Sequence, residues 1–203
     1  MSLLRFQAED HTYWKGEIRI ASVSEILKAN RAKDFYQGTT ACDKGSRVHA
    51  ATEAMDTLEL SPLDFEDDSD MYPYLRAWEQ FQAETKVRIL RVEHQVYHEA
   101  LAYAGTMDRL VEINGVRTVI DIKTGVKAPW HREQTAAYAL AWQSMGFDAV
   151  TQGIACYLAK TGKYKIDVYS GDEFEDSKNL FAGWARRYET VTIPKEENKE
   201  EAV

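Results

Sequence analysis

Residues 105–125, GTMDRLVEINGVRTVIDIKTG, hold two aspartates and a lysine at spacings that suit phosphodiester chemistry. Asn114-Gly115 is a two-residue hairpin turn by type, because both positions favour positive φ. A hairpin closed there pairs Ile113 with Val116 and, further down the ladder, Arg109 with Ile120. Asp108 then stands across from Asp121. Side chains repeat every second residue along a strand, so Lys123 joins Asp121 on that face. Carboxylates placed opposite each other repel, and the pair calls for a cation between them. Mg²⁺ takes oxygen ligands and keeps several waters, so two carboxylates, phosphate and water suffice. A lysine beside such a site stabilises charge that develops in the transition state.

The competing reading places both aspartates on a solvated strand face and gives Lys123 a plain salt bridge to Asp121. Leu110 and Val119 share the predicted face and argue for burial, where an unpaired pair of acids is costly. Asp-Ile-Lys alone is a weak motif.

Other candidates lie on the flanking elements. The stretch 45–60, GSRVHAATEAMDTLEL, is helical by its apolar seam of Val48, Ala51, Met55 and Leu58. His49 lies off that seam, on a stripe with Glu53 and Asp56. A lone helix histidine is ordinarily a surface or core residue; as a ligand, its nitrogen makes Mn²⁺ attractive alongside Mg²⁺. Glu93 sits on the strand before the hairpin, near His94, His98 and Glu99. Gln134 and Tyr138 are one turn apart on the following helix, a spacing that also fits a partly buried polar contact. Between catalytic strand and helix, Lys127, Trp130 and Arg132 are candidate DNA contacts: two cations for phosphates and a ring to stack on a base. Trp130 packed under its loop is the alternative.

These residues require elements to position them. HTYWKGEIRI, 11–20, alternates around Lys15-Gly16 as a hairpin. Ser22 and Glu25 form a capping box for a short helix. Helices are expected over 45–60, around 74–81 and over 131–145, and a closing one from Asp172 to about Thr190. Strands are expected from Arg88 to Tyr97, through the central hairpin, and in a second hairpin over 151–170 turning at Thr161-Gly162-Lys163. The order gives an α/β fold, a central mixed β-sheet flanked by helices.

The chain has 203 residues and a net charge of −8. One domain over 1–194 followed by an acidic tail over 195–203 fits that length. The charge disfavours indiscriminate binding to nucleic acid but allows a local basic groove. Much of the acidity lies in Asp64–Asp70 and the tail, both read as solvated loop or disordered sequence. No apolar run reaches membrane-spanning length, and MSLLRFQAEDHTYW lacks a signal-peptide pattern, so cytoplasmic placement is expected. Cys42 and Cys156 are too few for a disulfide framework or a cysteine zinc site and are read as packing residues.

Taken in order, four strings resemble the RecB-like exonuclease branch of the PD-(D/E)xK nuclease superfamily. They are G-x-x-x-H at Gly45–His49, G-x-x-D at Gly105–Asp108, D-x-K-T-G at Asp121–Gly125 and Q-x-x-x-Y at Gln134–Tyr138. The opening HTYWKGEIRIASVSEIL is similar to the start of phage-encoded members. The resemblance implies a restriction-endonuclease-like core. It implies metal binding by His49, Asp108, Asp121 and the backbone carbonyl of Ile122, with Glu93 as a further acid. Lys123 would be the catalytic lysine, Gln134 would touch the site or the DNA backbone, and Tyr138 would support it. It implies Mg²⁺ or Mn²⁺ as cofactor and DNA with free ends as substrate. The setting would be recombination, repair or phage DNA metabolism, in a bacterial or phage-infected cell, with a recombination or replication protein as a partner. The four cysteines of the iron–sulfur members are missing, so no such cluster is expected. No nucleotide-binding motif of a helicase is present. Two other functions fit the same residues: a structure-selective endonuclease, and a non-catalytic nucleic-acid-binding module with a nuclease fold.

Overall fold

The computed structural model describes residues 4–7, 10–31, 39–57 and 60–188. The readings of Leu58, the Cys42 side chain and the tail 195–203 lie outside the described residues. Strands β1 (Leu4–Gln7), β2 (Thr12–Lys15) and β3 (Ile18–Ser22) lead into helix α1 (Val23–Arg31). Helices α2 (Thr39–Asp56) and α3 (Tyr72–Thr85) follow, and then β4 (Arg88–His98), β5 (Tyr103–Ile113) and β6 (Val116–Lys123). Helix α4 (His131–Ser144), strands β7 (Gln152–Leu158) and β8 (Tyr164–Ser170), and helix α5 (Gly171–Arg187) complete the order. No described helix is long and apolar enough to cross a membrane.

Local chemistry sets these boundaries. Asn114 and Gly115 take φ of 51° and 78°, as the tight hairpin turn needs. The Ser22 hydroxyl accepts the Glu25 N–H at 3.1 Å, and Glu25 accepts the Ser22 N–H at 2.8 Å, so the expected capping box starts α1. Helix α2 begins at Thr39, earlier than its apolar seam indicates. The acidic segment carries a short 3₁₀ turn, Pro62–Phe65, and Asp68 ties it to α2 by accepting from Arg47 at 2.9 Å.

All eight strands form one mixed sheet. The expected N-terminal hairpin gains β1 as a third strand and joins the main sheet through parallel pairing of Ala21 with Tyr103 and Ser22 with Ala104. β6 runs parallel to β7, and β7 antiparallel to β8. Helices α1, α4 and α5 cover one face, around Met107, Leu110, Val119, Phe174 and Phe181. Helices α2 and α3 cover the other, around Val111, Ile120, Ile122, Trp78 and Phe81. Burial of a phenylalanine of this kind contributes about 1.5–3 kcal/mol. Cys156 lies in the second of these cores, as a packing residue.

The pairing of β5 positions the site. β4 lines one edge of β5 from Tyr103 to Glu112. β3 and β6 must therefore share the other edge, β3 at residues 103–104 and β6 at 109–113. Residues 105–108 lie in the fork between them.

Candidate active site

The β5–β6 register is the expected one as far as Arg109–Ile120. The next pair, Asp108 and Asp121, does not join the ladder. Asp108 Oδ2 instead accepts the backbone N–H of Ile122 at 2.7 Å, a side chain acting where a strand carbonyl would. Asp121 and Lys123 project toward α4, where Lys123 Nζ lies 2.7 Å from Asp121 Oδ2 and donates to Gln134 Oε1 at 3.1 Å. Both aspartates are buried.

Helix α2 closes the fork from the other side. His49 Nε2 lies 2.9 Å from the Ile122 carbonyl oxygen, and His49 Nδ1 lies 3.5 Å from Asp108 Oδ1. Glu93 on β4 completes a cluster in which ligand atoms of His49, Glu93 and Asp108 lie within 4.8 Å of one another. Glu93 has φ of 43°. A left-handed backbone is strained for a side chain of this kind, and such strain concentrates at functional sites.

The electrostatics are those of crowded acids. The Asp108 charge raises the His49 imidazole to about 9, against the opposing effect of burial. Burial, helped by Asp108, raises Glu93 to about 7. Burial also raises Asp121 to about 6, with Lys123 opposing and Asp108 adding to it. In Asp108 burial works upward, and the His49 charge and hydrogen bond overcome it, so its carboxyl stays below the usual range. His49, Glu93 and Asp108 bring one nitrogen and two carboxylate ligand atoms within 4.8 Å of one another, a set that suits a divalent cation. The residues present therefore fit a metal.

Helix α4 supplies the supporting pair. Gln134 Nε2 donates to the Tyr138 hydroxyl at 3.0 Å, which leaves its carbonyl for Lys123. Tyr138 reaches the fork because Gly105 lacks a side chain: a Cβ there would stand 2.7 Å from the ring.

The three candidate DNA contacts lie beside the site with other partners. Lys127 is exposed and pairs with Asp167 at 2.8 Å. Arg132 pairs with Glu173 at 2.6 Å and Glu133 at 3.3 Å. Trp130 is half-buried against the core, with Lys123 Nζ 5.5 Å from its ring centroid.

Two networks escaped the sequence reading. Arg109, fully buried, donates to Asp56, Glu93 and Thr52. An arginine between Asp108 and Leu110 on a core strand was the available signal, because a buried guanidinium must be paired. His131, Tyr157 and Asp167 form the other, with contacts of 2.9 and 3.1 Å.

A family model described as the PD-(D/E)XK nuclease superfamily matches residues 69–201, well over half of the chain. The chain belongs to the PD-(D/E)XK nuclease superfamily. Its mixed open sheet with flanking helices is the restriction-endonuclease-like core of that superfamily. The matched span holds Glu93, Asp108, Asp121, Lys123, Gln134 and Tyr138; His49 precedes it. Similar solved structures include LHK-Exo in complex with dAMP, at 14% identity and a TM-score of 0.40 over 82% of this chain and 87% of that one. A putative exonuclease from Eubacterium rectale is similar at 10% identity and a TM-score of 0.47, over 82% and 77%. The alkaline exonuclease LHK-Exo from Laribacter hongkongensis is similar at 11% identity and a TM-score of 0.36, over 82% and 87%. No curated protein matches in sequence.

Proposed function

We propose that this PD-(D/E)XK protein is a divalent-metal-dependent deoxyribonuclease that hydrolyses phosphodiester bonds from DNA ends. The observation that carries the reading is the convergence of His49, Glu93 and Asp108 within 4.8 Å, beside the ion pair of Asp121 and Lys123. The superfamily's D…D-x-K pattern reads onto Asp108, Asp121 and Lys123, with Met107 where its name has proline. The RecB-like order of the four strings favours an end-dependent enzyme.

His49, Asp108, Asp121 and the Ile122 carbonyl would hold the cation, Mg²⁺ or Mn²⁺, with Glu93 as a further acid. Such an ion polarises a phosphoryl oxygen and lowers the pKa of bound water. The protein's own groups supply the rest. Asp108 fixes the depth of the fork through the Ile122 N–H. Lys123, held by Asp121 and Gln134 with Trp130 beside it, presents a fixed positive charge where a scissile phosphate would gain negative charge. Tyr138 fixes the Gln134 amide so that its oxygen faces Lys123.

End-labelled linear DNA and covalently closed circles, incubated with Mg²⁺, Mn²⁺ or EDTA, test this reading. Linear DNA should be degraded to short products only with metal, while circles survive. Rapid nicking of the circles would make the enzyme an endonuclease, and cleavage in EDTA would remove the metal from the mechanism.

A further inference from the structure

Arg109 carries more contacts than charge balance requires. Its Nε donates to Asp56 Oδ2 at 2.5 Å, its Nη2 to Thr52 Oγ1 at 3.2 Å, and its Nη1 to Glu93 Oε1 at 3.0 Å and to the Asp108 carbonyl at 2.7 Å. The guanidinium lies 5.7 Å from the Trp78 ring centroid. Asp56 alone would neutralise it, and Asp56 is itself anchored from α3 by Trp78 Nε1 at 3.0 Å and Gln82 Nε2 at 2.6 Å. The contact to Glu93 is therefore surplus to neutralisation. It reaches the residue whose backbone is held left-handed beside Asp108.

The geometry of the contacts explains the surplus. Thr52 and Asp56 follow His49 by three and seven positions on α2, so all three lie on one stripe of that helix. Arg109 follows Asp108 on β5. One planar side chain thus ties the helix that carries His49 to the strand that carries Glu93, from the position next to Asp108. A lysine ammonium, a point charge without a fork, does not span two carboxylates and a hydroxyl in this way.

We propose that Arg109 is a positioning residue of the metal site, which holds Glu93 and the His49 stripe of α2 at the distance where their ligand atoms converge with those of Asp108. This rests on the metal-site reading above.

Mn²⁺ titration by calorimetry tests it on the full chain, with thermal melting of each variant. Glu93→Gln and Arg109→Gln should each weaken Mn²⁺ binding by about ten- to a hundredfold, the range for residues that orient metal ligands. The double loss should fall short of the product of the two single losses, because both changes remove the same Glu93 contact. Wild-type affinity in Arg109→Gln, or a double loss equal to the product of the single losses, would overturn the proposal. If Arg109→Gln fails to fold, Arg109→Lys keeps the charge against Asp56 and is judged by the same two criteria. Asp108→Asn separates the two levels. If wild-type Mn²⁺ binding is lost in Asp108→Asn but kept in the Arg109 variants, positioning alone fails. If the wild type binds no Mn²⁺, or Asp108→Asn binds as the wild type does, the metal site fails and Arg109 with it.

Discussion

Asp108 accepts the backbone N–H of Ile122 at 2.7 Å, and the carbonyl of that same Ile122 lies 2.9 Å from His49 Nε2. A carboxylate on β5 and an imidazole on α2 thus hold opposite sides of one residue of β6. Asp108→Asn keeps an oxygen for the Ile122 N–H and removes the charge. The fold should survive, with a melting temperature lowered by loss of the Asp108–His49 pair. Mg²⁺-dependent cleavage should fall by about a thousandfold, the equivalent of roughly 4 kcal/mol of transition-state stabilisation. Wild-type rates in this variant would remove Asp108 from the metal site.

Lys123 and Asp121 separate stability from catalysis. Lys123→Met leaves the buried Asp121 carboxylate without its cation 2.7 Å away. Breaking a buried pair from one side costs about 3–5 kcal/mol, so thermal melting should show a large loss. Adding Asp121→Asn should recover most of the stability and none of the cleavage. A double variant as unstable as Lys123→Met would mean that the pair does not account for the loss.

Gly105→Ala probes the approach of Tyr138. The added methyl would stand 2.7 Å from the ring and 3.1 Å from Val23, an overpacking worth about 1–3 kcal/mol. The displaced ring should loosen Gln134 and lower the cleavage rate beyond the stability change. Unchanged melting in Gly105→Ala would show that the fork tolerates a wider opening.

His131 sets a pH dependence of stability. Burial, with the Lys123 charge adding to it, depresses its imidazole from 6.5 to about 3. Between those values the unfolded chain binds a proton that the folded chain does not, so stability rises with pH. The contribution is complete above pH 6.5 and is lost as pH falls toward 3, at about 1.4 kcal/mol for each pH unit crossed. Urea unfolding of wild type and His131→Gln at pH 7, 5 and 4 measures it. The gap between the two should shrink or reverse as pH falls. A constant gap would mean that His131 titrates normally.

Much of the fold was legible because its signals are local. Asn114-Gly115 fixed the hairpin register, Ser22 and Glu25 fixed the start of α1, and the alternation of Leu110 and Val119 foretold their burial. The placement of Glu93 and Arg109 was not legible. Their contacts join β4, β5 and α2 across separations of 16 and 53 residues, and period-two spacing does not report which strand edges stay open. Nor does the ladder rule predict that Asp108 would take the Ile122 N–H in place of the cross-strand pair. That exchange depends on β3 joining β5 at Tyr103 and Ala104 and leaving a gap beyond. The ion pairs of Lys127 and Arg132 were hidden for the same reason, since Asp167 and Glu173 come about 40 residues later.

The span from His49 to Ile122 also orders events during synthesis. The contact that closes α2 onto β6 joins residues 73 apart, and contacts of such long range form slowly. A nascent chain that ends before Val116 already carries His49, Glu93 and Asp108, but neither Asp121 nor Lys123 nor the Ile122 carbonyl. Translation must therefore pass the second hairpin strand before the cleft can assemble, and a prematurely released chain lacks Asp121, Lys123 and the Ile122 carbonyl of the proposed site.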